Sequence, residues 1–286
     1  MEYTTLGKTG RKVSRLGYGG TVAGLKNYVH AFDPEEQKNK EQLIEAMHTA
    51  YELGINYFDT AAAYGDGISE MIFGEALQEL PADDIFLATK ASMGDAAHTR
   101  WSLERSLKNL RREWIDLIQI HGTVYTEEQC ADILKPGGMA EVLEQAKAEG
   151  LVKHIGFTIE CQNPALYNLI RSKRFDAIQI EYNLLFQHPY DPSWKCGSLY
   201  DADAEGLGIV AMRTVTSGIF QRWIQQVNPE NTFDYSPALI QFVLSNPLVD
   251  VALLGMRSAA RVRTNVEAAE DMAKRIDLDG LHTRYV

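Results

Sequence analysis

The sequence of 286 residues predicts a (β/α)8 TIM barrel, eight alternating strands and helices preceded by an N-terminal β-hairpin. Short apolar runs of strand length alternate with stretches whose apolar residues recur at helical spacing, with no linker or composition shift between them. Three successive runs end in a titratable residue, Asp59, Lys90 and His121. Their common step of 31 residues (90 − 59 and 121 − 90) suits one strand–helix–strand unit. An open dinucleotide-binding sheet would instead require GxGxxG between a strand and its helix, with an acid about 20 positions on. No such arrangement occurs, so residues 1–286 are read as one barrel domain.

In chain order, residues 3–6 and 12–16 form a hairpin around Gly7-Lys8-Thr9-Gly10. The next strand runs into Gly17-Tyr18-Gly19-Gly20-Thr21, whose glycines either admit a ligand close to the backbone or make an ordinary turn. Residues 22–37 are expected as a loop carrying Tyr28, His30 and Phe32. Leu43, Met47, Ala50 and Leu53 then repeat at helical spacing until Gly54. A strand over 55–58 stops at Asp59, and Tyr64 and Gly65-Asp66-Gly67 make a turn. Ser69 and Glu70 open a helix with Ile72, Phe73, Ala76 and Leu77 on its apolar side.

The strand over 84–90 leads to a helix carrying Leu103, Leu107, Leu110 and Trp114. The strand over 116–121 leads to an expected loop over 122–138, then a helix with Val142, Leu143 and Ala146 ending at Gly150. Strands follow over 153–157, 177–180, 209–212 and 251–254. Helices start at Asn163-Pro164, where proline suits the first turn, span 200–205, and run over 236–245 and 258–273. A second loop is expected over 213–234 and a tail over 278–286.

A net charge of −11 and a pI near 5.2 argue against nucleic acid or an anionic membrane as the general partner. The polar start lacks a signal-peptide core, and no apolar run reaches transmembrane length. Cys130, Cys161 and Cys196 are odd in number without CxxC spacing, which fits free thiols in a reducing cytoplasm. No metal-ligand cluster is evident, and His30, His98 and His188 stand alone. The expectation is a cytoplasmic enzyme without a metal; its oligomeric state is not legible.

Parallel strands place their C-terminal ends on one face, so Asp59, Tyr64, Lys90 and His121 should converge where barrels carry out chemistry. Singly, these residues read as a capped turn, a solvated lysine and a structural histidine, and together as at least a salt-bridge cluster. A carbonyl accepting hydride explains all four. Its oxygen needs a proton donor; Tyr64 serves once Lys90 favours the phenolate, Asp59 orients Lys90, and His121 hydrogen-bonds the oxygen. A competing reading makes Lys90 an imine-forming nucleophile, against which Asp59 would keep it protonated.

The stretch FDTAAAYGDGISEMIFGEAL resembles the pattern FDTAxxYGxGxSExxxGxAL of the aldo-keto reductases, and the likeness runs from LGKTGRKVSRLGYGG to GMRSAARVRTNVEAA. That resemblance implies an NAD(P)H-dependent oxidoreductase whose tetrad falls on Asp59, Tyr64, Lys90 and His121. It also implies cofactor contacts from Gly20, Thr21, Asp59, Thr158, Gln179, Arg213, Ser217 and Gly218. Gly255, Arg257, Arg261 and Asn265 match its adenosine-phosphate segment, favouring NADP(H) over NAD(H). Ile159 and Thr264 depart from the usual Asn and acidic residue. Substrate, a small carbonyl compound or sugar, is expected against Tyr64 and His121, with Tyr28, Tyr125, Phe220 and Trp223 as loop aromatics available to wall the pocket. The same tetrad serves an NAD-linked sugar dehydrogenase, and family members also act as nucleotide-sensing subunits without turnover.

Overall fold

The computed structural model describes residues 1–28 and 30–283. Residues 284–286 of the expected tail lie outside the described residues. The hairpin is made by β1 (Tyr3–Thr5) and β2 (Lys12–Ser14), paired antiparallel across the turn Gly7–Thr9. Gly7 has φ of 41°, and a Cβ there would lie 2.2 Å from the backbone nitrogen of Gly208, so glycine lets the hairpin press against the barrel floor.

The next elements are β3 (Leu16–Gly19), α1 (Thr21–Gly24), α2 (Gln37–Glu52), β4 (Tyr57–Asp59), α3 (Ile68–Leu77), β5 (Phe86–Ser92) and α4 (Ala96–Leu110). They are followed by β6 (Ile115–His121), α5 (Glu127–Leu134), α6 (Met139–Ala148), β7 (Val152–Ile159), α7 (Pro164–Arg171), β8 (Ala177–Glu181) and α8 (Ser198–Ala204). The last are β9 (Gly208–Met212), α9 (Ile219–Val227), α10 (Ser236–Leu244), β10 (Val251–Leu254), α11 (Ala259–Glu270) and α12 (Leu278–Thr283). The eight strands β3 to β10 close in sequence order, all parallel, with β10 returning to β3. This is the (β/α)8 barrel with its hairpin.

Strand alternation sorts the side chains. Phe58, Leu87, Ile118 and Ile178 join the core shared with the helices, while Tyr57, Phe86, Ala88, Leu117, Ala177 and Val210 form a separate cluster with Leu6 and Val13 of the hairpin. Two positions farther along the same inward register lie Asp59, Lys90, Gln119 and Gln179. At the strand starts, carboxylates hold the neighbouring strand: Asp116 accepts from Leu87 N (3.0 Å), Asp176 from Ile155 N (3.0 Å) and Asp250 from Ile209 N (2.9 Å).

The segments expected as loops carry helices. Residues 122–138 contain α5, nucleated by a reciprocal capping box between Thr126 and Gln129 and docked through buried Cys130 and Ile133. Residues 213–234 contain α9, entered through left-handed Gly218 and burying none of its residues. Residues 22–37 begin with α1, and residues 278–283 of the expected tail form α12, docked by the Tyr190 hydroxyl on Asp279 (2.7 Å). Trp114 lies beyond α4, which stops at left-handed Arg111 (φ 54°), and α11 ends at Glu270 rather than 273. Among the described residues, no helix is long and apolar enough to cross a membrane.

Candidate active site

Asp59 ends β4 and Lys90 lies near the end of β5, each 1% exposed inside the barrel. Lys90 Nζ donates to Asp59 Oδ1 (2.5 Å) and to the carbonyl of Thr60 (2.7 Å). Burial works against the ammonium, but Asp59 and then the Tyr64 phenol outweigh it, so the Lys90 pKa stands above its ordinary value. The Tyr64 ring lies with its centroid 5.1 Å from Lys90 Nζ. A Cβ at Gly24 would come within 2.4 Å of the Tyr64 carbonyl, so glycine there lets α1 pack directly on the tyrosine's backbone. His121 meets the Tyr64 ring edge-to-face at 5.6 Å. Burial, and then the Lys90 charge, lower its pKa to about 4, leaving a neutral imidazole near pH 7.

These groups open into a cavity of about 520 Å³. Tyr64, Lys90 and His121 line one region, Thr158, Gln179 and Met212 the next, and Gly255, Arg257, Ser258, Arg261 and Asn265 another. The latter lie about the N-terminus of α11, where Ser258 caps Arg261 N (3.3 Å). The helix start and two guanidinium groups are of the kind that attract an anion. Tyr28 and Ser217 both line the cavity and are joined by a 3.0 Å hydrogen bond between their hydroxyls.

The donor set suits a nicotinamide dinucleotide. Gln179 Nε2 faces the Met212 sulfur (3.7 Å), its amide also acts on Asp59, and Gln179 lines the cavity, where the amide can serve a carboxamide. Among the described residues, the Nε of Arg257 is buried without a hydrogen-bond partner near the start of α11. Arg257 also donates to the Tyr28 carbonyl and packs on Phe32 (4.5 Å), while Arg261 pairs with Asp234 (3.0 Å).

Most of the residues named from the sequence, including Thr21 and Gly218, line this cavity. Asp59 sits behind Lys90 rather than on the cavity wall. Gly20 is a packing position: a Cβ there would lie 2.8 Å from Phe73 and from Ser69 Oγ. Tyr125 is 1% exposed, its hydroxyl donating to Ile120 O (3.0 Å), because it folds beneath the loop it was expected to project from. Trp223 (56% exposed) and Phe220 sit on α9 away from the cavity lining. Thr158 spends its hydroxyl on the Gly122 carbonyl (2.7 Å), and Ile159 is buried in the core.

Arg213, with φ of 56°, lines the cavity while gripping both oxygens of Glu160 (2.9 Å each). Met212, on the same wall, reaches Gln179. The sequence reading missed Met212, Glu160 and Gln119. Gln119 left a signal, a lone amide in the otherwise apolar end of DLIQIH. Glu160 left none. Among the described residues no group of three His, Cys, Asp or Glu is placed to hold a metal.

The aldo/keto reductase family profile matches residues 15–237. L-galactose dehydrogenase of Arabidopsis thaliana is 24% identical over 95% of the chain and 89% of that protein. Among solved structures, an aldo-keto reductase of Bacillus halodurans in its holo form superposes with TM-score 0.78 at 22% identity, covering 99% of this chain and 95% of that one. One from Klebsiella pneumoniae, in complex with NADP and acetate, gives 0.72 at 20% identity over 99% and 94%. At such identities the structural likeness bears on the fold.

Proposed function

The chain belongs to the aldo/keto reductase family, and from that premise we propose that it reduces a small aldehyde or ketone with NADPH, Tyr64 acting as the general acid. The observation that carries this reading is the buried Asp59–Lys90 pair beside Tyr64, with neutral His121 edge-on to the Tyr64 ring. When bound, the dinucleotide supplies the hydride to the carbonyl carbon. Tyr64 gives its proton to the carbonyl oxygen, so that C=O becomes CH–OH, and the phenolate left behind faces the Lys90 ammonium. Asp59 keeps that ammonium charged and aimed. His121, carrying no dissociable charge near pH 7, orients the carbonyl through a ring N–H. Solvent at the cavity mouth then reprotonates Tyr64.

Gln179 would hold the carboxamide, and Arg257, Arg261 and the start of α11 the 2′-phosphate. The Klebsiella pneumoniae relative, solved with NADP, supports the same coenzyme. A Schiff-base role for Lys90 is disfavoured because Asp59 2.5 Å away keeps the amine protonated and unreactive. The relative named as an L-galactose dehydrogenase, and a cavity wall bearing Thr123, Glu160 and His30, favour one second reading, oxidation of a sugar. We place the chain in the cytoplasm as one domain over residues 1–286, on its three free cysteines and unbroken barrel.

Fluorescence titration with NADPH and NADH, followed by turnover on a panel of aldehydes, ketones and sugars, tests this. NADPH binding with aldehyde-dependent oxidation of the coenzyme is expected. Tight binding without turnover on any compound would move the protein to a nucleotide-sensing role, and no binding would overturn the reading.

A further inference from the structure

Inside the barrel a carboxylate oxygen with no donor is costly, and Asp59 has two oxygens to satisfy. Lys90 serves Oδ1. Oδ2 accepts from Nε2 of Gln119 at 3.2 Å, and the same nitrogen donates to Oε1 of Gln179 at 3.1 Å. Gln119 is fully buried on β6, two residues before His121, and does not line the cavity. Its neighbour in register is Gly156, where a Cβ would meet the Ala177 carbonyl at 2.7 Å and come within 3.3 Å of the Gln119 side chain.

We infer that Gln119 is a positioning residue that couples the proton-handling pair to the coenzyme-binding amide, an assignment that rests on the function proposed above. An ionised carboxylate only accepts, so Asp59 dictates which end of the Gln119 amide faces it. With both N–H bonds of Gln119 pointed at Asp59 and Gln179, the Gln179 amide turns its oxygen to Gln119, and its NH₂ lies between Asp59, Met212 and the cavity that Gln179 lines. Gln179 therefore presents a donor, the group that a carboxamide oxygen needs. The cost is visible: Oε1 of Gln119 is buried with no hydrogen-bond partner among the described residues. A leucine there would remove that orphan but strip Asp59 Oδ2 of its Gln119 donor, so the two donated bonds offset the cost.

The test compares wild type with Gln119→Leu, Gln179→Leu and the double variant, with Gln119→Met as an isosteric second choice should the leucine variant fail to fold. Circular dichroism and thermal unfolding establish folding. Fluorescence titration then reads NADPH and NADH affinity without turnover. Loss of Gln119 should weaken both coenzymes about tenfold and equally, since the nicotinamide is common to them. The double variant should match Gln179→Leu within twofold, because one variant already frees what the other holds. The acid limb of kcat/KM should move up by about one pH unit as Asp59 loses a donor. A folded Gln119 variant with wild-type affinities and an unmoved acid limb overturns the assignment, as does full additivity with Gln179→Leu. Failure of the wild type to bind either coenzyme would instead overturn the reading on which it rests, and this inference with it.

Discussion

Two side chains at the cavity, Tyr64 and His121, are each capable of protonating a substrate oxygen, and electrostatics assigns the role. His121 titrates at about 4 because it is buried near Lys90, so above that pH it has no proton to give up as an acid. Its signals in an NMR titration should inflect near pH 4 rather than near the ordinary histidine value of about 6.5. An inflection near 6.5 would return it to contention as the acid. Tyr64→Phe should lower turnover by about 10² to 10⁴ while coenzyme affinity stays within about twofold. Lys90→Met should cost as much, and the pair together little more, because the phenol and its ammonium act as a unit. Steady-state kinetics on the three variants decides this, and additive losses would separate the two residues.

At the scale of elements, the N-terminus of α11 is where coenzyme preference is set. Arg261 is held by Asp234, which follows α9, and both side chains are about half exposed, so the pair is weak and screened. A 2′-phosphate must compete with that carboxylate. Asp234→Asn should therefore tighten NADPH several-fold and leave NADH unchanged, read by fluorescence titration; tightening of both coenzymes alike would refute the competition. Arg261→Ala should weaken NADPH alone. Arg257 behaves differently, because it also anchors the segment carrying Tyr28 and Phe32, and Arg257→Ala should weaken both coenzymes.

For the whole molecule, buried carboxylates at the strand starts act on stability in opposite senses. Asp176 shows the stabilising case: burial opposes its charge, but His154, Lys147 and the Ile155 N–H outweigh it and hold the pKa at about 2. Its contribution is complete above its unfolded value of about 4 and lost as pH falls through about 2. Asp250 is the reverse, since burial raises it to about 6 against weaker help from the Ile209 N–H. Its stabilisation is present below about pH 4 and lost as pH rises through about 6, a swing of about 3 kcal/mol. Asp250→Asn keeps an oxygen for Ile209 N and removes the charge. Thermal unfolding should show it more stable than wild type at pH 7.5, with the advantage gone at pH 4. An equal advantage at both values would mean that packing, not ionisation, is responsible.

The barrel, its hairpin and the positions of Asp59, Lys90 and His121 at strand ends were legible in the chain, because strand alternation and a repeating unit length are local properties. Period two sends Asp59, Lys90, Gln119 and Gln179 inward together without knowledge of any contact. The helices in 122–138 and 213–234 were missed for different reasons. The first carries its signal only in a capping box, Thr126 and Gln129, and the second buries no residue, so its apolar stripe signals no core. Only the tertiary structure decided where side chains point once the strands end. Tyr125 turned under its loop, Arg213 paired with Glu160 on the cavity wall beside Met212, and Gln119 found Asp59 and Gln179, each 60 positions away. These outcomes depend on which donor meets which acceptor across distant strands. Pairings of that kind are set by barrel closure, which no local pattern encodes.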